Sequence, residues 1–582
     1  MTPQSQPLVD THGPPLRGFW RRSVFSLDHK VIGIQYAITA LVFLLIGFVL
    51  MMLMRWQLAH PGQPVPVLGP LLEANAPGGI IGPDFYNGLG AMHGTIMIFL
   101  GVVPLAVGGF GNYLLPLQIG ASDMAFPRLN MASYWTYLCA GVLMLVSFVM
   151  PGGPAQSGWT SYPPLTIFAS SGQTVWLLGM LLIITSSLFG SINFIVTIVQ
   201  LRAPGLTFMR LPFFVWSQLV TSFLLLLAFP PLEAAAVFQL MDRLAGTSFF
   251  LPSGLVVSGQ VVPRSGGGNP LLWQHLFWFL AHPEVYVLIL PAMGIVGEII
   301  ANNTRRPLFG YKALVRSSLY VGFLSFVVWA HHMFITGMGT TMSTFFQVTT
   351  ILISIPSVVI LTCLFLSLWG ASIRFTTPML FALAFLPMFG IGGLTGLPLG
   401  MAPSDVHLHD TYYVIAHFHY IVAPGTIFAL FAGIYYWFPK ATGRRMNDLL
   451  GRVHFAGTFV CMNLIFMPMF VQGMAGMNRR LYDGGAQYAM NQEVLPLHLV
   501  ISYAAWAMAL FQVPFIGNFF WSMRHGEAVG SNPWEATTLE WAAESPPSHE
   551  NFARPPVAYR GPYEYSVPGA SRDFTPQFEP GV

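Results

Sequence analysis

Residues 412–438 read YYVIAHFHYIVAPGTIFALFAGIYYWF, a stretch without one aspartate, glutamate, lysine or arginine. A hydrocarbon layer roughly 30 Å thick takes about 20 apolar residues of helix to cross, so this stretch predicts a membrane-spanning helix. His417 and His419 stand inside it, and ionisable groups in a bilayer are costly and mark function. A helix turns about 100° per residue, so two residues spaced i, i+2 point to opposite sides. That suits a helix held between two planar cofactors, each taking one axial imidazole. It does not suit two ligands on one metal.

Working outward, the chain repeats the theme. It has 582 residues, 54% hydrophobic and 8% charged, against about 25% charged in an average soluble domain. A soluble enzyme and a disordered chain are both excluded. Apolar runs predict spans near 31–54, 91–116, 131–150, 173–200, 213–240, 273–300, 315–338, 345–371, 378–401, 412–438, 453–472 and 497–523. The expected fold is all-α, a polytopic membrane protein of twelve transmembrane helices. Residues 1–30 form an N-terminal segment, 31–523 the helical core and 524–582 a Pro-rich polar tail packed on the body or on a partner. The net charge of +3 gives no case for nucleic acid. Cys139, Cys363 and Cys461 lie far apart and form neither a disulfide framework nor a metal spacing.

Every second short loop is basic: Arg128; Arg202 and Arg210; Arg305, Arg306, Lys312 and Arg316; Arg374; Lys440, Arg444, Arg445 and Arg452. Arg17, Arg21 and Arg22 join them from the N-terminus. The opposite loops hold Arg55, Arg243, Arg264, Arg479 and Arg480. The positive-inside rule then places both termini in the cytoplasm. The absence of a presequence and the long tail favour a bacterial inner membrane.

Four further histidines stand within apolar spans. His93 could supply a second axial ligand to one planar cofactor. His331 and His332 are adjacent and could reach one ion together. His282 and Tyr286, spaced i, i+4, share a helix face. Imidazole suits copper and iron alike, and carboxylates for a hard cation are missing from the set. The residues read as two hemes plus a three-histidine copper, with a substrate-translocating transporter as the other class left open.

Five motifs in order, with flanks FSLDHKVIG (25–33) and NPWEATTLEW (532–541), resemble subunit I of the heme-copper oxidases, cytochrome c oxidase type. They are GGFGNYLLPLQIGASDMAFPRLN (108–130), AHPEVY (281–286), VWAHHMF (328–334), LHDTYYVIAHFHY (408–420) and GMNRRLYD (476–483). The resemblance implies that His93 and His419 hold a low-spin heme and that His417 is the proximal ligand of a high-spin heme. It implies that His282, His331 and His332 hold the copper CuB, with Tyr286 joined to His282 and delivering an electron and a proton. It further implies a magnesium or manganese site at His409 and Asp410, with Asp405 in the outer network. Arg479 and Arg480 are then propionate partners, and Arg55 the partner of a formyl group, which favours heme A. A second-shell acceptor should orient each imidazole, though sequence alone does not name it.

The resemblance also implies a proton pathway that begins at Asp123, passes Asn112, Asn130, Ser186, Ser187 and Asn193, and ends at Glu284. The family's second pathway is altered. Ile360 stands where the family carries its lysine, Gly297 stands at the expected serine, and Gly339-Thr340-Thr341-Met342-Ser343 replaces an Asp-x-Asp-x-Arg run. A modified route through Glu298, Ser357 and Thr362 is one expectation; entrance of every proton through Asp123 is the other.

The scattered cysteines hold no CuA motif, so the resemblance implies a subunit II carrying CuA, with cytochrome c or another small redox protein as donor. Subunit III and small subunits are further expected partners, and dioxygen is the substrate. Ile46, Leu50, Phe85 and Gly88 stand where quinol-oxidising relatives carry polar residues, which disfavours quinol. The expected function is a proton-translocating terminal oxidase. A nitric oxide reductase of the same superfamily is the nearer alternative, and Tyr286 argues against it.

Overall fold

Twelve helices long and apolar enough to cross a membrane account for the core of the computed structural model, which describes residues 18–263 and 265–580. Arg17 and Arg264 of the charge pattern, with the rest of 1–17 and the last two residues of the tail, lie outside the described residues. In chain order the spans are α1 (His29–Ala59), α2 (Pro83–Ile119), α3 (Pro127–Val149), α4 (Ser171–Gln200), α5 (Phe213–Leu244) and α6 (Pro270–Thr304). They continue as α7 (Tyr311–Thr336), α8 (Gly339–Leu366), α9 (Thr377–Leu399), α10 (Tyr412–Thr442), α11 (Asp448–Met474) and α12 (Leu497–His525). The number is as expected. The span expected from 91 begins instead at Pro83, because a proline at the first helical position is pre-set for a helix start even where the following residues are polar.

Local signals set the ends. Asp28 accepts from the backbone N–H of Lys30 at the start of α1 (2.8 Å), and Asn447 from that of Leu450 at the start of α11 (3.0 Å). Pro127 and Pro270 open α3 and α6. Burial ranks the helices: 89% of the apolar window of α6 and 78% of that of α2 lie inside the protein, against 28% for α1 and α8. The two central helices therefore carry His282 and His93, while α1 and α8 turn most of their surface outward.

Three of the four helices that carry the histidines are irregular, α6 being the regular one. α2 widens into π-helical turns at Ile96–Val102 and Pro104–Gly111, just after His93, and α10 does so at Val422–Ile427, just after His419. Pro104 and Pro424 lack the N–H that a regular ladder needs, and π-turns recur at functional sites. α7 tightens into a 3-10 turn over Trp329–Thr336, broken at Met333 (φ −128°) and stopped at Gly337 (φ +80°). His331 and His332 sit on that turn.

The tail packs on the body. It covers the end of the bundle that carries the basic loops, pairs Glu527–Ala528 with Arg444–Arg445, and buries Glu540, Trp541, Tyr563 and Tyr565. Lys440 is fully buried beneath it and donates to the carbonyls of Ser531 (3.0 Å), Ala543 (2.6 Å) and Glu544 (3.3 Å). Arg305 forks onto Asp573 (2.8 and 2.7 Å).

Candidate active site

The imidazoles of His282, His331 and His332 converge, with one ligand nitrogen from each lying within 4.8 Å of the others. His331 and His332 are neighbours on the 3-10 turn that ends α7, with ring centroids 4.3 Å apart, and both rings reach the His282 imidazole from there. His331 Nδ1 donates to Thr350 Oγ1 of α8 (2.8 Å), since the threonine hydroxyl is itself spent on the Phe346 carbonyl (2.6 Å). That fixes the tautomer and leaves Nε2 of His331 with its lone pair free. His282 Nδ1 and His332 Nε2 face each other at 3.3 Å, and Trp278 stacks on His332 with ring centroids 3.9 Å apart. His282 Nε2 is buried without a partner, and the Tyr286 ring lies 5.3 Å from that imidazole, centroid to centroid. Three imidazoles with converging lone pairs and no carboxylate suit a copper ion.

The other three histidines share one device. Nδ1 of His93 donates to the Gly47 carbonyl, that of His417 to Gly392 and that of His419 to Ile415, each at 2.8 Å. A carbonyl only accepts, so each ring presents a bare Nε2, the form an axial heme ligand needs. These backbone acceptors are the orienting partners that the sequence could not name. His419 also stacks on Phe466 (4.5 Å, 17°). A Cβ on Gly396 would lie 2.7 Å from Cε1 of His417, so this glycine gives the ring its room.

Glu284 is buried with both carboxyl oxygens unpartnered. At the basic end, Asp123 sits in the loop after α2, its Oδ1 accepting from the Met124 N–H (2.6 Å). Burial pushes its carboxyl up to about 6, against that hydrogen bond and the nearby Lys30. Asn193 and Thr197 clamp this loop: Asn193 Oδ1 accepts from the Phe126 N–H and Thr197 Oγ1 from the Ala125 N–H, both at 2.9 Å. Asn112, Ser186 and Ser187 line a cavity of about 50 Å³. The Asn112 Oδ1 and both amide atoms of Asn130 are buried without partners, and water is the group that satisfies such atoms. Tyr36, Ser133 and Ser191 line the same cavity. The sequence reading missed them because single polar residues in apolar helices carry no periodic signal.

The outer residues divide into separate contacts. His409 Nδ1 donates to Asp405 Oδ2 (3.0 Å), while Asp410 accepts from Arg479 Nε (2.7 Å). His409 and Asp410 are therefore engaged with different partners, and no third ligand joins them among the described residues. Arg479 and Asp405, in turn, hold that pair in place. Arg480 has no carboxylate partner among the described residues; burial and the neighbouring Arg479 lower it to about 10. Arg55 donates to Ser502 Oγ (3.0 Å) and to the His498 carbonyl (3.1 Å) and is likewise without a carboxylate.

The residues of the expected modified route do not gather. Glu298 accepts from the Phe214 N–H on α5 (3.2 Å) and from the Tyr563 hydroxyl of the tail (2.5 Å). On α8, Ser357 donates within its own helix to Ile353 (3.1 Å), Thr362 is exposed and Ile360 is buried.

Residues 31–507 match the family described as Cytochrome C and Quinol oxidase polypeptide I. The chain is 44% identical over 570 residues to the cytochrome c oxidase subunit 1 of Synechocystis sp., a match covering 97% of this chain and 96% of that one. It is 44% identical over 585 residues to the alternative cytochrome c oxidase subunit 1 of Bradyrhizobium diazoefficiens, covering 99% and 96%. In fold it is similar to a heme-copper terminal oxidase dimer solved by cryo-electron microscopy, with TM-score 0.69 over 86% of this chain and 84% of that one. The identity there is 19%, a likeness of fold alone.

Proposed function

The chain belongs to the cytochrome c and quinol oxidase polypeptide I family, and on that premise we propose that it is the catalytic subunit of a proton-translocating terminal oxidase. It reduces dioxygen to water with four electrons and four protons, the electrons coming from cytochrome c. The observation that carries the reading is the pair of imidazole sets: three rings converging within 4.8 Å, and three with Nδ1 spent on carbonyls and Nε2 free. His93 and His419 would hold a low-spin heme, His417 a high-spin heme, and His282, His331 and His332 the copper. Bound there, the hemes and copper supply electron transfer and dioxygen binding. The unpaired guanidinium of Arg480, with Arg479 next to it, would meet heme propionates, and Arg55 the formyl edge of an A-type heme.

The rest is done by this chain's own side chains. Asp123, held by the Asn193 and Thr197 clamp, collects protons at the basic end, which faces the cytoplasm together with both termini. The cavity lined by Asn112, Ser186 and Ser187, with the open amide of Asn130 below it, holds the water that relays them. Glu284, whose oxygens have no competing donor, holds a proton and passes it on. Tyr286, against His282, offers its hydroxyl proton at the buried site. His409 with Asp410 would join a magnesium or manganese ion only with ligands from a second subunit, the natural carrier of CuA; subunit III and small subunits complete the expected assembly in a bacterial inner membrane.

The test is dioxygen uptake by the purified enzyme with reduced cytochrome c. Uptake that Glu284→Gln nearly abolishes and Asp123→Asn slows, with heme content unchanged in both, is the expected result. Full-rate uptake in both variants would overturn the proton assignment, and no uptake by the unaltered enzyme would overturn the oxidase reading.

A further inference from the structure

The chain lacks the family's lysine on α8, and the α8 residues that remain do not reach Glu298. The polar groups that do lie above Glu298 are on α5. α5 and α6 are consecutive spans and run antiparallel, and their register can be read from close approaches. A Cβ on Gly297 would lie 2.9 Å from the Phe213 ring, and one on Gly294 would lie 2.3 Å from Ser217 Oγ. Position 217 thus faces 294, so 221 faces about 290 and one further turn reaches the level of Tyr286. Ser217 and Thr221 share that face of α5, and both are fully buried.

Thr221 is the unusual member. Thr95, Thr185 and Thr197, inside other spans, donate to the carbonyl four residues back (2.9, 2.9 and 2.7 Å). The Thr221 hydroxyl has no partner among the described residues. A buried hydroxyl left unmade costs about 1–3 kcal/mol, so it points to a group that is not protein, and a water fits that role. The foot of the same face is a second polar cluster. Tyr563 of the tail donates to Glu298 and accepts from the Phe213 N–H (2.7 Å). Close by, Glu540 Oε1 accepts from Gln118 Nε2 (3.0 Å), while Glu540 Oε2 and Gln118 Oε1 are both buried acceptors without a donor. Each of these oxygens still wants a donor, a role that a water fits at either and a proton at the carboxyl. Burial pushes the Glu540 carboxyl up, in the same direction. Lys440, a cation within electrostatic reach of Glu540, has its ammonium committed to three carbonyls.

We propose that protons reach Tyr286 along the α5–α6 interface, from Glu298 past Ser217 and Thr221, with the tail residues Tyr563 and Glu540 forming its cytoplasmic foot. The inference rests on the oxidase reading. Glu298 lies twelve positions from Tyr286, about 18 Å along α6. Ser217 and Thr221 divide that span into steps of about 6 Å, each short enough for one or two waters to bridge. One proton moves inward for each electron that enters the buried site, and Glu298 is refilled from the cytoplasm through the tail cluster. Tyr563 is a positioning residue here, because it acts by orienting the Glu298 carboxyl.

The experiment uses the complete purified oxidase. Proton uptake on anaerobic reduction is followed with a pH indicator dye, and the optical spectrum serves as a check on folding. Thr221→Val should slow uptake about tenfold, the effect of one lost hydrogen-bonding step, and Thr221→Ser, which keeps the hydroxyl, should restore it. In the reduced-minus-oxidised infrared difference spectrum, Glu298→Gln should remove a protonated-carboxyl band that Tyr563→Phe only shifts. Uptake at the unaltered rate in Thr221→Val would overturn the route, as would equal slowing in the valine and serine variants. So would slowing by Ser357→Ala with Thr221→Val unaffected, which returns the route to α8. An unaltered enzyme that consumes no dioxygen would overturn the oxidase reading and, with it, the route.

Discussion

Replacing Thr350 by valine removes one atom's worth of chemistry from the three-imidazole site and almost none of its shape. Thr350 Oγ1 accepts a hydrogen bond from His331 Nδ1 at 2.8 Å and donates one to the Phe346 carbonyl at 2.6 Å. In Thr350→Val the His331 N–H is left without an acceptor in a dry interior, which costs about 1–3 kcal/mol. The ring also loses the contact that chooses its tautomer. At about 1.4 kcal/mol per tenfold, copper should bind roughly 5- to 100-fold more weakly, in the range seen for outer partners of metal ligands. The assay is equilibrium competition against a graded copper chelator, reading bound copper per protein with heme content as the folding control. Thr350→Ser keeps the acceptor and should retain copper like the unaltered chain. Valine that holds copper as tightly as threonine, or serine that loses it equally, would refute the argument.

Three further outcomes follow from the same geometry. Asp123 is half-buried and its carboxyl is pushed up to about 6 from 3.8, so between those values the folded protein binds more protons than the unfolded one and loses stability as pH rises. Asp123→Asn escapes this, so its melting temperature relative to the unaltered protein should climb as pH goes from 4 to 7 and then level off; a flat difference would refute it. Gly396→Ala places a methyl 2.7 Å from the His417 ring, and should shift the absorption of the high-spin heme while leaving the low-spin bands in place. Lys440→Met strips the donor from three carbonyls under the tail. It should cost about 3 kcal/mol and make the tail open to limited proteolysis.

Much of the fold was legible because a membrane imposes one strong constraint: long apolar runs must be helices. The runs that gave the twelve spans also placed every histidine of the site inside one. The opposed directions of His417 and His419 followed from helix pitch, and the helices preserve it. What sequence did not reveal lies where helices stop being regular or where distant segments meet. His331 and His332 converge with His282 from a 3-10 turn that is broken at Met333 and stopped at Gly337, which apolar periodicity does not encode. The orienting partners of the axial rings are backbone carbonyls of Gly47, Gly392 and Ile415, which every residue owns equally. Thr350, Tyr36 and Ser133 are single polar residues in apolar stretches. The tail was expected to pack on the body or on a partner; its contacts were not legible, and it buries Glu540 and Tyr563 and encloses Lys440. That contact redirects the second proton route from α8 towards α5.

The central claim is that one chain holds two hemes in unlike environments beside a three-imidazole copper. A reduced-minus-oxidised optical spectrum of the purified protein, repeated with carbon monoxide, tests it most directly. Two heme signals, of which carbon monoxide shifts only one, are the expected result, since His93 and His419 would together hold one heme and His417 alone would hold the other. No heme signal, or both signals shifted alike, would contradict the account.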